Sequence, residues 1–259
     1  MPDPSPPRLP KAALVTGGAR RIGRVIVETL AERGFAVAIH HHRSADEAAS
    51  LAAAIEARGG RAVSIGANLA KEAEVVALLA DAEDTLGPLG LLVNNASMFE
   101  YDSALEATRA SWDGHLETNL RAPFVLTQGF ARALPAGAEG LVVNILDQRV
   151  WNLTPHFVSY TVSKAALWTL TQSLALALAP RIRVNAVGPG PTLANVRQTP
   201  EQFAEQCARL PLQRGASPEE VARAVCFMLD LPSMTGQMIA LDGGQHLAWS
   251  TPPPAHGEE

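Results

Sequence analysis

Short β-branched runs alternate with longer segments of helical period along nearly the whole chain. The predicted strands are residues 13–16, 36–40, 62–65, 91–94, 141–145, 182–186 and 238–241. The predicted helices between them are residues 23–33, 46–58, 71–86, 112–133, 159–178 and 218–229. Neighbouring parallel strands need a long crossover connection, which a helix supplies. The alternation therefore predicts an α/β fold, a three-layer, doubly wound parallel sheet with helices on both faces.

The length of the chain suits a single domain of this kind. It has 259 residues, 47% of them hydrophobic, and α/β chains of this size commonly share one core. We expect the domain to cover residues 11–248, with disordered tails at 1–10 and 249–259. The Pro-rich stretch 188–216 is predicted to be poor in helix, and long loops in compact domains are often functional. We therefore expect a lid at about 190–216.

Charge and composition argue against several classes of partner. The 26 acidic and 21 basic side chains give a formal net charge of −5, which does not favour nucleic acid. The most apolar long stretch, 165–179, is interrupted by polar residues and is too short to span a membrane, and we recognise no secretory leader. We expect a cytoplasmic protein. Cys207 and Cys226 lie in no CxxC or His-paired pattern, so neither a disulfide framework nor a metal site is predicted.

The first predicted strand runs through a glycine-containing turn into a helix. The turn reads Thr16-Gly17-Gly18-Ala19-Arg20-Arg21-Ile22-Gly23. In doubly wound folds this turn binds the phosphates of a dinucleotide, because glycines allow close backbone approach and the helix N-terminus favours negative charge. A plain strand-to-helix connector is the alternative. An arginine such as Arg21 could pair with a diphosphate and still reach a bound ligand.

The end of the second strand indicates which dinucleotide is bound. An acidic residue there hydrogen-bonds the ribose 2′-hydroxyl of NAD, but this chain has His40-His41-His42-Arg43-Ser44. Positive charge and donors suit a 2′-phosphate, so NADPH is favoured, with a merely solvated strand end as the alternative. A metal site is a poor interpretation, because consecutive strand side chains face opposite ways. Asn94-Asn95-Ala96 follows the fourth strand at the ligand-binding edge, although a simple Asn-rich turn would look the same.

Tyr160 and Lys164 are four residues apart at the start of a helical segment, so they share one helix face. A lysine ammonium near the phenol would lower the pKa of Tyr160 and allow proton exchange near neutral pH. Alone, this pair is a weak signal that often marks an ordinary surface pair.

Together these motifs resemble the short-chain dehydrogenase/reductase family, and the resemblance covers nearly the whole chain from Ala12 to Leu247. The first turn matches the family's TGxxxGxG pattern, with Arg21 where the middle glycine is usual. Further matching elements are Asn119 within Thr118-Asn119-Leu120, Arg183-Val184-Asn185, Gly188-Pro189-Gly190 and Asp242-Gly243-Gly244.

The resemblance implies a Rossmann fold and a set of site residues. Lys164 would also hold the nicotinamide ribose, and Asn119 would anchor a water relay. The catalytic set implied is Asp147, Tyr160, Lys164 and Asn119. The cofactor set implied is Gly17, Arg20, Arg21, Ile22, Gly23, His42, Arg43, Ser44, Asn68, Leu69, Asn95, Ala96, Ser97, Tyr160, Lys164, Pro189 and Gly190.

Asp147 is the informative departure from the family pattern. It lies thirteen residues before Tyr160, where most members carry a serine that donates to the substrate carbonyl. An ionised carboxylate only accepts hydrogen bonds, so it disfavours a developing alkoxide and hence ketone reduction. It would raise the pKa of Tyr160, against Lys164, and keep a proton on the pair for delivery to a nitrogen. This chemistry fits reduction of a C=N bond.

The departures occur together in pteridine reductases, including the bacterial dihydromonapterin reductases, and this chain resembles that branch. The resemblance rests on Arg21, on His42-Arg43-Ser44, on Ser97-Met98-Phe99 and on Asp147 with Tyr160 and Lys164. It implies a pterin stacked between the nicotinamide and Phe99, with Arg21 and Ser97 near the ring and the cofactor phosphates. The implied substrate set is Arg21, Ser97, Phe99, Asp147 and Tyr160.

Some features and alternatives stay open. Asn68 replaces a common aspartate, Arg149 adds a cation near the pocket, and the lid at 192–214 has little that matches. An NADPH-dependent carbonyl reductase of a ketone or 3-oxoacyl substrate is a second reading. A non-catalytic NADP(H)-binding regulator is a third, although the retained Tyr160, Lys164 and Asn119 argue against it.

Helices 112–133 and 159–178 carry surplus apolar surface, so we expect a homotetramer, as is usual among related enzymes.

Overall fold

A computed structural model describes residues 9–195 and 197–247, and a parallel sheet lies at its centre. The strands are β1 (Ala12–Val15), β2 (Ala36–His41), β3 (Ala62–Gly66), β4 (Leu91–Asn94), β5 (Gly140–Ile145), β6 (Ile182–Pro189) and β7 (Met238–Leu241). Their order is β3-β2-β1-β4-β5-β6-β7, and every neighbouring pair is parallel. The inner strands are apolar on both faces because helices cover both, as the fully buried β1 shows.

Helices lie on both faces of this sheet. They are α1 (Arg21–Glu32), α2 (Ala45–Glu56), α3 (Glu72–Leu86), α4 (Arg109–Leu116), α5 (Ala122–Ala133), α6 (Val158–Ala177), α7 (Pro200–Ala208) and α8 (Pro218–Asp230). Buried residues of α1, α2 and α8 form a core with one sheet face, and those of α3, α5 and α6 form a core with the other. Val15 faces the first core and Leu14 the second. The prediction of a single three-layer, doubly wound domain is confirmed.

One predicted helix is interrupted. The segment predicted at 112–133 begins earlier, at Arg109, where Thr108 and Ser111 form a reciprocal capping box. A π-helical turn, Glu117–Arg121, then separates α4 from α5. Such turns are rare and often mark functional positions, and this one carries Asn119. The hydrophobic period continues through the turn, so the sequence pattern gave no sign of the interruption.

The expectation that 188–216 is poor in helix is wrong for part of that stretch. Residues Pro200–Ala208 form α7, which begins with Pro200 in its first turn and a capping box between Thr199 and Gln202. Both features are helix-start signals that the sequence shows plainly. The abundance of proline hid them, because proline is tolerated at a helix start and excluded only from its interior.

The predicted tails fall mostly outside the described residues, which begin at Leu9 and end at Leu247. Leu9 packs against the core cluster that includes residues of α1 and α8, so the chain is already held there. Within 9–195 and 197–247, no helix is both long and apolar enough to cross a bilayer. The same residues contain no cluster of three or more metal-ligating side chains, and Cys207 and Cys226 are free thiols.

The strand order reverses on the two sides of β1, so β1 and β4 enclose the crevice where doubly wound sheets bind ligands. The turn after β1 is locked to β2 by a buried histidine. The backbone N–H of Gly17 donates to His40 Nδ1 at 3.0 Å, and His40 Nε2 lies 3.0 Å from the Ala67 carbonyl oxygen. Nε2 therefore carries the proton and the imidazole is neutral.

Burial of His40 sets its charge state. The side chain is 2% exposed, and burial disfavours the imidazolium, so the pKa falls from 6.5 to about 4. The hydrogen bond to Ala67, which acts in the opposite direction, and the neighbouring His41 and His42 are smaller influences. A protonated ring would also place a second N–H against the N–H of Gly17.

We predict an acid-labile turn. Between pH 6.5 and 4 the unfolded chain binds a proton at His40 that the folded chain does not. The stabilisation is complete above pH 6.5 and is lost as the pH falls toward 4, at about 1.4 kcal/mol per pH unit. Urea unfolding without cofactor at pH 7.5, 6 and 5 should show a steeper loss of stability in the parent than in His40→Asn, whose amide can still accept from Gly17 and which keeps only the contribution of other buried groups such as His115. Equal pH dependence in both proteins would contradict the prediction.

Candidate active site

The turn between β1 and α1 brings backbone very close to backbone. Gly17 has a φ of +62°, which favours glycine. A Cβ on Gly23 would lie 2.1 Å from the Gly17 carbonyl oxygen and 2.6 Å from Asn95 Nδ2, so no larger residue fits without movement. Among the described residues no side chain caps the N-terminus of α1, whose first N–H groups thus stay available to an anion. This cradle fits a dinucleotide diphosphate.

Arg21 takes a conformation that explains why glycine is usual at its position. Its φ is +55°, in the left-handed region. Its guanidinium donates to the Ala194 carbonyl oxygen at 3.0 Å and to that of Leu193 at 3.3 Å. The predicted pairing with a diphosphate stays a prediction, since here the fork of Arg21 holds the predicted lid.

Asn95 and Ala96 tie the end of β4 to the first turn. Their backbone N–H groups donate to Thr16 Oγ1 at 2.9 and 3.0 Å. Asn95 Nδ2 donates to the carbonyl oxygens of Thr16 at 2.9 Å and Gly17 at 3.2 Å. These contacts fix the two sides of the crevice relative to each other, so Asn95 shapes the cradle whatever else it touches.

The residues predicted for the adenosine end lie apart from the chemical residues. His42 and Arg43 are exposed beyond the end of β2, and Ser44 is buried just before α2. Asn68 Oδ1 accepts from the Ala70 N–H at 3.0 Å. Two more members of this set point elsewhere: Leu69 is buried in a core cluster, and Arg20 forms a 3.5 Å ion pair with Glu47.

Tyr160 and Asp147 form a hydrogen-bonded pair at the other side of the crevice. The Tyr160 hydroxyl donates to Asp147 Oδ2 at 2.9 Å. Asp147 Oδ1 accepts from the backbone N–H of Arg149 at 2.9 Å and so caps the 3₁₀ turn Gln148–Val150. Lys164 donates from Nζ to the Ile145 carbonyl oxygen at 2.8 Å. The carboxylate is thus aimed at the phenol by its own backbone turn.

The pKa of Tyr160 is raised well above its usual value. Burial is the largest cause and the negative charge of Asp147 is the next, while Arg149 acts in the opposite direction. The increase expected from Asp147 therefore prevails over the lowering expected from Lys164. Burial also lowers the pKa of Lys164 to about 8, against the attraction of Asp147. The ammonium is bonded to Ile145, so the phenol keeps its proton at neutral pH.

Arg149 completes the surroundings of the pair. Its Nε lies 3.5 Å from Asp147 Oδ2, within ion-pair range but without hydrogen-bond alignment. Its guanidinium carbon lies 5.3 Å from the centre of the Tyr160 ring. The cation noted in the sequence is therefore part of the site. It stands beside the carboxylate and the phenol together.

Phe99 lies in an aromatic cluster. Its ring stacks on Phe157 with centroids 4.5 Å apart and planes 10° apart, and it meets Tyr160 edge-on at 4.7 Å. Arg149 and Arg197 are each almost equidistant, at 5.4 to 5.8 Å, from the Phe99 and Phe157 centroids. Both guanidinium groups therefore lie beside the stack, where the quadrupole attraction of a ring face is weak.

Sequence reasoning missed Phe157 and Arg197. Phe157 precedes α6 in a left-handed conformation, with a φ of 58°, and no residue pattern indicates that. Arg197 donates to the Phe99 carbonyl oxygen at 2.8 Å and to Glu100 at 3.0 Å, which joins the predicted lid to the loop after β4. That contact spans 98 positions, so only the fold brings it together.

Asn119 forms hydrogen bonds with the backbone of Met98 and with two neighbouring hydroxyl groups. Its Oδ1 accepts from the Met98 N–H at 2.8 Å and from Ser97 Oγ at 3.3 Å. Its Nδ2 donates to the Met98 carbonyl oxygen and to Ser163 Oγ, both at 3.0 Å. Asn119 thus holds the loop that carries Ser97 and Phe99. The water relay implied by the resemblance remains a prediction.

A cavity of about 630 Å³ opens between these groups, within the range of small-molecule sites. The predicted residues that line it are Arg21, Ile22, Asn95, Ser97, Phe99, Asp147, Tyr160, Lys164, Pro189 and Gly190. The predicted residues that do not line it are Gly17, Arg20, Gly23, His42, Arg43, Ser44, Asn68, Leu69, Ala96 and Asn119. The cavity therefore holds the chemical half of the predicted site and reaches the cradle at Arg21, Ile22 and Asn95, whereas the glycines of the cradle and the adenosine positions lie outside it.

Comparison with known proteins gives consistent results. The family model described as short chain dehydrogenase matches residues 11–204. An uncharacterized oxidoreductase of Thermotoga maritima is 34% identical over 245 residues, covering 90% of this chain and 96% of the relative. The 3-oxoacyl-(acyl-carrier-protein) reductase FabG of Staphylococcus epidermidis is 31% identical over 245 residues, covering 92% and 99%.

Solved structures extend the comparison. FolM alternative dihydrofolate reductase 1 from Brucella canis, complexed with NADP, has a TM-score of 0.91 at 53% identity, covering 95% of this chain and 98% of that chain. A blue fluorescent protein from a metagenomic library, in complex with NADPH, has a TM-score of 0.85 at 34% identity, covering 90% and 97%. The chain belongs to the short-chain dehydrogenase family of nicotinamide-dependent oxidoreductases, as the family match shows and as the cradle at Gly17 and the Tyr160–Lys164 pair agree.

Proposed function

We propose that this chain is an NADPH-dependent reductase of a C=N bond in a pterin of the dihydromonapterin or dihydrobiopterin type. The observation that carries the proposal is the 2.9 Å hydrogen bond from the Tyr160 hydroxyl to Asp147. Asp147 stands where the common family pattern has a serine, and its carboxylate accepts hydrogen bonds but does not donate them. Similarity to FolM alternative dihydrofolate reductase 1 of Brucella canis supports the same substrate class.

The charges around the pair favour nitrogen over a ketone oxygen. A ketone that receives hydride becomes an alkoxide, which the carboxylate of Asp147 would repel. A C=N bond that receives hydride on carbon leaves a strongly basic nitrogen, which takes a proton even from a weak acid. Tyr160 is such an acid, because burial and Asp147 raise its pKa and keep it protonated.

The proton and hydride steps then balance simply. Bound NADPH would supply a hydride to the carbon of the C=N bond. Tyr160 gives its hydroxyl proton to the nitrogen, so the bond becomes CH–NH and the phenol is reprotonated before the next turnover. Asp147 orients the phenol during this step, and its unused lone pairs can accept from the N–H groups of an aminopyrimidine.

The shape of the cavity suits a flat ring. Phe99 presents an aromatic surface at the cavity wall, next to Tyr160, and it is backed by Phe157. Offset stacking on such a ring contributes about 0.5–1.5 kcal/mol beyond the area it buries. A planar pterin placed against Phe99 would have its edge near Asp147 and Tyr160, where the proton is delivered.

A second candidate function is reduction of a ketone or 3-oxoacyl thioester, which the similarity to a FabG protein favours. It would need a protonated or bypassed Asp147. Loss of NADPH absorbance with dihydrobiopterin, dihydromonapterin, dihydrofolate and several ketones separates the two. Turnover of ketones alone would select the second candidate and reject the pterin proposal.

We predict a preference for NADPH over NADH that depends on Arg43. The exposed guanidinium lies beyond β2, where a 2′-phosphate would be bound. Arg43→Ala should weaken NADPH binding about tenfold to a hundredfold, the effect of losing one charge-assisted contact, with much less effect on NADH. Arg58→Ala, an exposed arginine after α2, is the matched control. Equal losses for both cofactors, measured by fluorescence titration, would rule out the 2′-phosphate role.

We predict that Asp147→Ser lowers dihydropterin turnover and raises weak ketone activity. Serine can still cap the 3₁₀ turn, so the local backbone should persist. The loss should be on the scale of a general acid–base contribution, about 10² to 10⁴ in kcat. Asp147→Asn keeps the shape of the side chain and removes only its charge, so it separates the two effects. Tyr160→Phe should remove turnover while NADPH binding stays near normal. Parental dihydropterin reduction by Asp147→Ser would show that the carboxylate is a bystander.

We also predict a homotetramer. The outer face of α6 leaves Val162 39% and Leu176 84% exposed, which is apolar surface that a partner subunit would cover. Light scattering at micromolar concentration should give about four times the 27.4 kDa chain mass. A monomeric mass would contradict the prediction, and Leu176→Glu should shift an assembled protein toward smaller species.

A further inference from the structure

A second cluster of polar side chains lies outside the cavity. It consists of Asp102 in the loop after β4, His115 on α4 and Ser159 in the first turn of α6. Their exposed fractions are 3%, 0% and 0%, and none lines the cavity. Burying a carboxylate, an imidazole and a hydroxyl together costs free energy unless all are satisfied. We call these three residues the anchor cluster.

The hydrogen bonds of the anchor cluster fix every proton. The N–H of Glu100 donates to His115 Nε2 at 3.1 Å, so that nitrogen has no proton. His115 Nδ1 therefore carries it and faces two acceptors, the Ser111 carbonyl oxygen at 2.8 Å and Ser159 Oγ at 2.7 Å. Ser159 Oγ donates in turn to Asp102 Oδ2.

The charge states agree with this assignment. Burial lowers the pKa of His115, which favours the neutral ring. Burial alone would raise the pKa of Asp102, but hydrogen bonds from Ser159 and Ser111 outweigh it, and the pKa lies below its usual value. With a neutral imidazole and an ionised carboxylate, each N–H and O–H group of the network faces an acceptor.

These three residue types also form hydrolase triads, but the geometry here is different. Ser159 donates to the carboxylate and accepts from the imidazole, so no base withdraws its proton. The complete burial of Ser159 and His115 leaves no room for a substrate. Nucleophilic chemistry at Ser159 is therefore excluded.

The anchor cluster joins the Phe99 loop to the catalytic helix. Asp102 accepts from the backbone N–H of Ser159 at 3.1 Å and so caps the first turn of α6. The Asp102 carbonyl oxygen accepts from the N–H of Phe157 at 2.8 Å. His115 holds Glu100, the residue that follows Phe99, while Asn119 holds Met98, which precedes it. Phe99 is thereby fixed on both sides.

We propose that Asp102, His115 and Ser159 are positioning residues that hold the Phe99 ring against Tyr160 and thereby fix the aromatic wall on which a flat heterocycle stacks. The inference rests on the proposed function, because it assumes that the substrate ring stacks on Phe99. The observed edge-to-face contact of 4.7 Å between Phe99 and Tyr160 is the distance that the cluster holds. A displaced Phe99 ring would weaken stacking on the substrate, and such a loss is seen mainly in KM.

Ser159→Ala tests the proposal directly, because it removes the link between His115 and Asp102 and adds no bulk. We expect KM for the dihydropterin to rise about tenfold to a hundredfold, with kcat changed less and the NADPH dissociation constant unchanged. Thr171→Val is the matched control, since it removes another fully buried hydroxyl from α6, at a position twelve residues beyond Ser159 on the same helix. Its KM should stay parental even if its stability falls.

A double-mutant cycle separates positioning from general damage. If the cluster acts through Phe99, Ser159→Ala should have no further effect on kcat/KM in a Phe99→Ala background. Equal effects in both backgrounds would overturn the proposal. Should Ser159→Ala fail to fold, Asp102→Asn replaces it, because the amide keeps the shape and can still accept from the Ser159 N–H. Asp102→Asn should then show the same dependence on Phe99.

A readout without turnover keeps the two proposals distinguishable. In protein labelled with 4-fluorophenylalanine, the Phe99 signal among seven phenylalanines is identified by its loss in Phe99→Ala. The ¹⁹F signal of Phe99 should move or broaden in Ser159→Ala and stay in place in Thr171→Val. An unmoved signal would refute the anchor cluster as a positioning device. Failure of the parent to reduce any dihydropterin would refute the proposed function alone.

Discussion

The parallel alignment of β1, β4 and β5 is the constraint on which the site depends. In a parallel sheet all strands end at the same edge, so the turn after β1, the loop after β4 and the turn after β5 meet there. This arrangement brings Gly17, Asn95 and Asp147 to one crevice although they are far apart in sequence. Hydrogen bonds from Asn95 to Thr16 and Gly17 then fix the crevice.

Within that crevice, burial decides where the proton resides. Tyr160 and Lys164 share a helix face, but the ammonium of Lys164 is bonded to the Ile145 carbonyl oxygen and is itself weakened by burial. The phenol is left with Asp147 as its closest charged partner and keeps its proton. The pair is therefore arranged to donate a proton to a base, and it is poorly arranged to stabilise an oxyanion.

Two arginines connect the predicted lid to other parts of the site. Arg21, on the turn after β1, donates to the carbonyl oxygens of Leu193 and Ala194. Arg197, within the predicted lid, donates to Glu100 and to the carbonyl oxygen of Phe99. The loop that carries Phe99 is also fixed by hydrogen bonds to Asn119 and to the anchor cluster. The aromatic wall of the cavity is thus supported by residues that do not line it.

The sequence by itself determined the architecture, since the alternation of strand and helix signals allows little except a doubly wound sheet. It also identified Tyr160 and Lys164, whose spacing of four places them on one face of α6, and it identified Asp147 through the resemblance to a family in which a serine is usual at that position. Only the tertiary structure decided the pKa direction of Tyr160, which depends on burial, and the contacts of Phe157 and Arg197. Those contacts join residues distant in the chain, and local sequence patterns carry no information about partners that only folding brings together.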